Sequence, residues 1–262
     1  MKKWLAAAPA LLLVMISLWE VVAVRCDAGS VPDDAAWERA AGALRESHHA
    51  GDLIVFAPDW ADPIGRLHLG DLIPVEMAAR MDAAKYGAIW EVAIRGARAP
   101  EVAGLAPKTE TNFSGVTLRY FERAPVVVVS DVLDHVAELR SDGARPTLEL
   151  AEVGFAPHRC LQIVPPANGK VTITVPMQLG TKLVGYVGLA DVFKRRDIRT
   201  PGELEVHAGA ATTIVKPGVD DGWVKFELAT VPGAPGVTTE VMFIAKAVSS
   251  DRLICFAAEA RQ

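Results

Sequence analysis

The feature that most constrains the fold is a series of short runs, rich in valine, isoleucine and threonine, that fills the chain after Thr147. Pro- and Gly-rich turn sequences separate these runs, as at residues 165–169 and 232–236. No helix of any length fits between them, so the pattern predicts an antiparallel β-sandwich. The predicted strands are residues 159–164, 170–175, 182–189, 204–208, 212–216, 223–228, 238–247 and 252–258.

The order of landmarks in this half resembles the galactose-binding-like jelly roll of carbohydrate-binding modules. The landmarks are Leu183-Val184-Gly185-Tyr186-Val187-Gly188-Leu189-Ala190-Asp191, then residues 204–208, 221–226 and 255–257. The resemblance implies a jelly-roll sandwich at residues 147–262. It also implies a sugar ligand, as in many members of that family, although other members bind other ligands or are structural.

Two cysteines lie on the first and last predicted strands of the sandwich, Cys160 and Cys255. In the jelly-roll family these strands tend to be neighbours, so the resemblance implies that the two sulfurs can approach within bonding distance. An exported chain would meet an oxidising compartment, which favours a disulfide. Two free, buried cysteines are the alternative.

The N-terminus carries Lys2 and Lys3 before an apolar run, residues 4–24, which only Pro9, Ser17 and Glu20 interrupt. Positive charge before an apolar run places the N-terminus in the cytoplasm, so residues 1–30 are predicted to be a membrane anchor with the rest of the chain outside. A cleaved signal peptide has the same pattern and is the alternative.

The middle of the chain, residues 31–146, alternates predicted helices and strands, which favours an α/β layer. Asp33 suits the N-cap of a helix at 35–49, and a second helix is predicted at 76–87. The predicted strands are residues 53–56, 89–94, 116–121 and 126–129.

Part of this domain resembles the soluble α/β domain that follows the membrane region of some lipid-linked-sugar glycosyltransferases. The resemblance covers about residues 36–129. It rests on the strand and Pro-Asp-Trp loop at 53–60, on Tyr86 and Ile89-Trp90-Glu91-Val92, and on residues 113–120. Those enzymes carry catalytic carboxylates on loops between many membrane spans. This chain offers at most one span, so the resemblance does not predict glycosyl transfer by this chain alone.

A polar, aromatic loop follows the predicted strand at 53–56, in the position where α/β sheets place ligands. An indole that stacks on a sugar ring, beside carboxylates that bind hydroxyl groups, would form a glycan site; paired carboxylates could instead hydrolyse a glycoside. The structural alternative, which we favour, is that Asp62 caps a helix begun by Pro63, that Trp60 packs on the sheet as part of the core, and that the other residues are solvated. The candidate residues are Asp59, Trp60, Asp62, Arg66, His68 and Asp71.

A second group of charged residues follows Gly188-Leu189 in the predicted sandwich. Asp191, Arg195 and Arg196 are the candidates for a binding site at this rim, and a solvated charged loop is the alternative.

Composition excludes several classes of function. The net charge is −5 and no stretch of lysine and arginine is longer than the three residues 194–196, which argues against nucleic-acid binding. The three cysteines show no C-x-x-C spacing, and the motifs of nucleophilic hydrolases, zinc proteases and nucleotide-binding loops are absent. The sequence therefore predicts no cofactor and no metal.

The function predicted from the sequence is non-catalytic binding of a glycan or an envelope protein, in cell-envelope polysaccharide assembly. The protein is expected to be membrane-anchored and to face the periplasm or the cell exterior. One alternative is a glycan-active hydrolase or glycosyltransferase subunit that uses the loop from Asp59 to Asp71. Another is a purely structural module of an envelope complex.

Overall fold

The structure is a computed structural model that describes residues 2–28, 31–190, 200–249 and 252–262; side chains are described from residue 11 onward, apart from 27 and 28. The helices are α1 (Lys2–Ala28), α2 (Asp34–Ser47), α3 (Asp62–Leu69) and α4 (Val75–Ala78). The strands are β1 (Leu53–Ala57), β2 (Ala88–Ile94), β3 (Thr109–Phe113), β4 (Val116–Glu122), β5 (Val128–Asp131), β6 (Arg140–Ser141), β7 (Thr147–Val153), β8 (Ala156–Ile163), β9 (Gly169–Met177), β10 (Lys182–Leu189), β11 (Gly202–Ala208), β12 (Ala211–Val215), β13 (Val224–Ala229), β14 (Thr239–Ala247) and β15 (Ile254–Arg261).

The chain divides into two compact units. The first unit contains residues 1–73 and 87–123, and the second contains residues 74–86 and 124–262. The predicted boundary at residue 146 is therefore wrong. The reason is that β5, which the sequence placed in the α/β domain, pairs with the last strand of the sandwich, β15.

The first unit has a four-stranded sheet in the order β1-β2-β4-β3. β1 and β2 are parallel, whereas β4 pairs antiparallel with both of its neighbours. One face of helix α2 is buried, and it includes Trp37 and Leu44. The Asp33 side chain accepts a hydrogen bond from the Ala36 N–H at 2.8 Å, which confirms the predicted N-cap. β3 lies in a stretch that the sequence predicted to be loop.

The second unit is a sandwich of two antiparallel sheets, which confirms the predicted all-β class. One sheet has the order β13-β10-β15-β8-β7, with β5 also paired to β15, and the other has the order β12-β11-β14-β9-β6. Buried and partly exposed residues alternate along β9 and β11, because each strand turns one face to the core. Val206, Phe243 and Phe256 are among the buried residues of this core.

The predicted disulfide is confirmed. Cys160 on β8 and Cys255 on β15 are bonded, with their Cα atoms 5.6 Å apart. These strands are neighbours in one sheet, which brings the two cysteines together. Both side chains are buried beside Ala151 and Trp223.

The predicted helix at 76–87 is mostly absent. Only α4, from Val75 to Ala78, is helical, and the chain then turns. Asp82 accepts a hydrogen bond from the Ala84 N–H and forms an ion pair with Arg261 of β15. These contacts outweigh the helical spacing of Met77 and Met81, since tertiary context overrides local propensity.

The predicted membrane span at residues 4–24 falls within α1, and its first residues lie outside the described side chains. No helix formed by the residues that the structure describes in full is long and apolar enough to cross a membrane.

Candidate functional site

The parallel pairing of β1 and β2 creates the candidate site. Ala57 at the end of β1 lies opposite Ala93, one residue before the end of β2. The segments that follow the two strands therefore emerge at the same edge of the sheet, where α/β folds place ligands. At this edge the guanidinium of Arg95 lies over the Trp60 ring, 5.7 Å from its centroid.

Arg95 reaches this position from a tight turn at the end of β2. The Ala97 N–H donates to the Ile94 carbonyl at 3.0 Å, and Arg95 and Gly96 have φ of 55° and 68°. Two positive φ angles are the pattern of a type I′ turn, which normally contains glycine, asparagine or aspartate. An arginine in this conformation is strained, and such strain is concentrated at functional sites.

Trp60 is exposed, so the expectation that it packs in the core is wrong. It lies on a single 3-10 turn, Asp59–Ala61, in which Ala61 takes the buried position and the indole is 56% exposed. Asp59 is exposed as well, and its carboxylate has no hydrogen bond or ion pair with any residue that the structure describes. An aromatic face and a free carboxylate are thus both open to solvent at this edge.

Asp62 does not cap α3 as predicted. It is the first residue of the helix, and the N-cap is Ala61, which has no capping side chain. The Asp62 carboxylate instead forms an ion pair with Arg66 one turn later, at 2.6 Å. This pair lies along the helix surface and leaves neither side chain free for the site.

His68 and Asp71 hold α3 against α2. Arg45 of α2 donates to the Asp71 carboxylate at 2.8 and 3.4 Å and to the His68 carbonyl at 2.6 Å. The hydrogen bond from Arg45 lowers the pKa of Asp71. The His68 ring stacks on Trp37 with the ring centroids 6.0 Å apart. Of the six predicted residues, Asp59 and Trp60 lie at the end of β1, and the other four have partners on α2 or α3.

Arg95 lies at the candidate site and was not among the predicted residues. The available signal was an Arg-Gly pair directly after the second strand of a parallel pair, since both strand ends meet at one edge of the sheet. The other predicted candidates, Asp191, Arg195 and Arg196, lie outside the described residues.

A second cluster of ionisable groups lies in the sandwich unit and was also not predicted. The guanidinium of Arg261 donates to both oxygens of Asp82 at 3.0 Å and to Glu259 at 2.7 Å. Burial is the largest influence and opposes ionisation of Asp82, but the hydrogen bonds from Arg261 and from the Ala84 N–H, together with the charges of Arg261 and Lys225, outweigh it and lower the pKa of Asp82. Tyr186 contributes its hydroxyl to Asp82 at 3.4 Å, and burial, followed by the charge of Asp82, raises the pKa of Tyr186 to about 12.

Two further groups of this unit have strongly shifted pKa values. Burial raises the pKa of Asp131 to about 6, although the Leu133 N–H donates to its carboxylate; Glu259 lies opposite it on β15 and adds to the shift. His158 lies buried between the rings of Trp223 and Tyr186, and burial lowers the pKa of His158 to about 4.

These buried groups connect residues 74–86 to the outer face of one sheet. Asp82 of that segment is bound to Arg261, and the Arg159 N–H of β8 donates to the Ala79 carbonyl at 3.1 Å. Each charge has a partner of opposite sign or a shifted pKa that neutralises it, as buried charges require. These partners and shifts account for the cluster as part of the fold, and the edge at Trp60 remains the candidate site.

Comparison with known proteins found no matching family model and no matching curated protein. Several similar solved structures are carbohydrate-binding modules. The mannan-recognising module TmCBM27 is 12% identical, with a TM-score of 0.33 over 53% of this chain and 99% of its own. The module TmCBM61 in complex with β-1,4-galactotriose is 10% identical, with a TM-score of 0.30 over 49% of this chain and 89% of its own.

An arabinose-bound α-L-arabinofuranosidase is 16% identical, with a TM-score of 0.31; the match covers 51% of this chain and only 24% of the enzyme. At these TM-scores the similarity is too low to assign a ligand to this chain. Nothing in the comparisons supports the resemblance of the first domain to glycosyltransferases.

Proposed function

We propose that this protein is an exported, non-catalytic glycan-binding protein whose first unit binds sugar at the edge formed by Asp59, Trp60 and Arg95. The observation that carries the proposal is the exposed indole of Trp60 at the end of a parallel strand pair, beneath the Arg95 guanidinium. The ends of parallel strands are where α/β sheets place ligands, and an indole open to solvent there can stack on a sugar ring.

The three side chains have complementary roles in this proposal. The flat face of Trp60 matches the C–H face of a pyranose ring and supplies apolar contact area. The free carboxylate of Asp59 accepts hydrogen bonds from sugar hydroxyl groups. The cation–π contact with Arg95 holds the indole in one orientation, which lowers the entropy that binding would otherwise cost.

The carboxylates of the loop argue against glycoside hydrolysis. Hydrolysis needs two carboxyl groups across the scissile bond, one of them protonated near neutral pH. Asp62 is held by Arg66 and Asp71 by Arg45, and the hydrogen bond from Arg45 lowers the pKa of Asp71. Of the three aspartates, Asp59 alone has no partner among the described residues, which supports binding rather than hydrolysis at this loop.

Export is supported by the disulfide between Cys160 and Cys255, because structural disulfides persist in oxidising compartments. We propose that the sandwich acts outside the cytoplasm, in the cell envelope. We expect a signal from a reporter that works only outside the cytoplasm when it is fused after Gln262. A signal from a reporter that works only inside the cytoplasm would contradict export.

A glycan array probed with the full chain tests the proposed function. We expect binding to one class of glycan, with no release of product when the same glycans are incubated with the protein. Turnover of a bound glycan would instead support the enzyme alternative, and the absence of both binding and turnover would refute a glycan function.

A further inference from the structure

Strand β7 forms one edge of the sandwich. It runs from Thr147 to Val153 and stands last in its sheet, and β8 is its sole partner among the strands that the structure describes. Its seven residues slightly exceed the typical strand length of about 5–6. Natural edges are blunted by charged side chains, most often lysine, and by proline; β7 contains neither lysine nor proline, and its charges are Glu149 and Glu152.

The backbone of β7 directs part of its hydrogen-bonding groups to the open side. Leu150 lies opposite Arg159 in the antiparallel ladder, and the Arg159 N–H donates to Ala79 rather than to β7. The two residues are therefore a non-hydrogen-bonded pair, and the N–H and C=O of Leu150 point away from β8. By alternation, Leu148 and Glu152 also direct their backbone groups to the open side; Pro157, which has no N–H, lies opposite Glu152.

The side chains of this edge are apolar and acidic. Leu148 and Leu150 are 39% and 57% exposed. Glu149 and Glu152 are exposed, and neither has an ion pair with a residue in the described part of the chain. A strand that pairs here would meet two leucines and two unpaired carboxylates.

The hairpin that ends β7 presents a strained aromatic residue. Phe155 is 94% exposed and has φ of 65°, next to Gly154 with φ of 61°. The hairpin is braced from behind, because Gly154 packs closely on Gly222 and the Trp223 indole N–H donates to the Ala156 carbonyl at 2.8 Å. A bulky residue with positive φ is a conformational outlier. At Phe155 no burial of the ring offsets this strain.

We infer that the β7 edge, defined as Leu148, Glu149, Leu150, Glu152 and Phe155, binds an extended segment of a partner protein by strand addition. The segment carries basic residues opposite Glu149 and Glu152 and apolar residues opposite Leu148 and Leu150. This function is separate from the glycan site proposed for the first unit.

Charge selects this partner over a second copy of the chain. Two β7 strands paired antiparallel about Leu150 would place each Glu149 opposite Ala151 of the other copy and diagonal to the other Glu149 on the same face of the sheet. Neighbouring like charges on paired strands are destabilising, and each copy has a net charge of −5. A basic segment instead neutralises both carboxylates.

A peptide probe tests the inference. The probe is a short synthetic peptide that alternates valine and threonine and has lysines opposite Glu149 and Glu152; a control peptide has glutamate in place of lysine. At low ionic strength the full chain should bind the lysine peptide at least roughly fivefold more tightly than the control. Hydrogen exchange should slow at the amides of Leu148, Leu150 and Glu152.

Two variants distinguish strand addition from general attraction of a cationic peptide. Leu150→Pro removes an outward N–H that makes no internal bond, so the fold should persist while the peptide no longer binds. Ile214→Pro is the matched control: Ile214 is an exposed residue of β12, the edge strand of the other sheet, and binding should be unchanged. The double variant Glu149→Lys and Glu152→Lys should reverse the preference to the glutamate peptide.

Equal affinity for both peptides, or full binding by Leu150→Pro, would overturn the inference. Concentration-dependent dimerisation that Leu150→Pro abolishes would assign the edge to a second copy instead. If Leu150→Pro does not fold, the charge-reversal variant decides, and a preference for lysine that survives it would refute the proposed contact.

Discussion

Individual residues decide which surfaces of this protein are available for binding. Trp60 and Phe155 are large aromatic residues, and both are exposed where burial would have been more favourable. Each is held by a local contact: Arg95 lies over the Trp60 ring, and the Gly154–Gly222 contact braces the turn that contains Phe155.

The strain at Phe155 has a measurable consequence. Phe155→Gly should raise the free energy of unfolding by roughly 0.5–1 kcal/mol, because glycine adopts positive φ without a Cβ clash. Urea denaturation of the full chain measures this change. Phe155→Ala is the control, since it removes the exposed ring but keeps the Cβ atom, and its stability should match the native protein. A lower free energy of unfolding for Phe155→Gly would show that the ring stabilises the fold and would contradict strain at this position.

Asp131 makes stability depend on pH. Its pKa is about 6 in the folded state and about 3.9 in an unfolded chain, so the folded state binds the proton more tightly. Stability contributed by this group is therefore complete below pH ~4 and is lost as the pH rises to about 6. Asparagine has no charge to bury and can still accept from the Leu133 N–H. Asp131→Asn should stabilise the protein by up to about 2–3 kcal/mol at pH ~7, and by little at pH ~4.

The quantity to measure is the difference in the free energy of unfolding between Asp131→Asn and the native protein. His158 makes stability depend on pH in the opposite direction, and the difference removes its contribution. Its pKa of about 4 is below the value of about 6.5 in an unfolded chain, so its contribution to stability rises with pH over the same range. Urea unfolding of both proteins at each pH isolates the effect of Asp131. A difference that does not change between pH ~4 and pH ~7 would contradict the account.

At the scale of elements, the segment at residues 74–86 is held to the sandwich by an ion pair. Asp82→Asn leaves the buried guanidinium of Arg261 with Glu259 as its remaining anionic partner. We expect a loss of about 2–3 kcal/mol in the free energy of unfolding. Hydrogen exchange at residues 76–86 should also accelerate.

Asp59→Asn provides a control for that substitution, because Asp59 is exposed and has no partner in the described part of the chain. The control should be as stable as the native protein. A stability of Asp82→Asn equal to that of the control would show that the Arg261 contact does not hold the segment.

The same segment shows where prediction from sequence ends. Alternation made β9, β11 and β14 predictable, because each has a periodicity of two between clear turns, whereas β10 was predictable as an apolar run. The helical spacing of Met77, Met81 and Ala84 predicted a helix that contacts with β15 prevent. A partner at sequence position 261 leaves no signal within a local window of residues.

The position of the candidate loop in the fold could be predicted from the sequence, whereas the contacts of its side chains could not. A polar loop after a buried strand indicated that Asp59 and Trp60 lie at the end of β1, which is where the structure places them; a ligand at this edge stays a prediction. The exposure of Trp60 was not predictable, because it depends on whether Trp60 or Ala61 takes the buried position in one short turn. The assignments of Asp71 and His68 required knowing that Arg45 of α2 lies beside them.

At the scale of the whole molecule, the division into units differs from the order of the sequence. Composition changes near residue 147, but residues 74–86 and 124–146 also belong to the sandwich unit. β5 joins that unit through its pairing with β15, more than a hundred residues away in the chain. Such long-range pairing is not readable from composition, whereas the cysteine pair was anticipated from the strand order of a resembling fold.

The central claim is that Trp60 binds sugar, and it is tested by titrating the full chain with the glycan that binds best on the array. Trp60→Ala should weaken binding by at least roughly tenfold, Trp60→Tyr should retain most of it, and Leu67→Ala, which truncates another exposed apolar residue nearby, should have no effect. Because Trp60 is exposed, its replacement should change the free energy of unfolding by less than about 1 kcal/mol. A folded Trp60→Ala variant that binds the glycan as tightly as the native protein would contradict the claim.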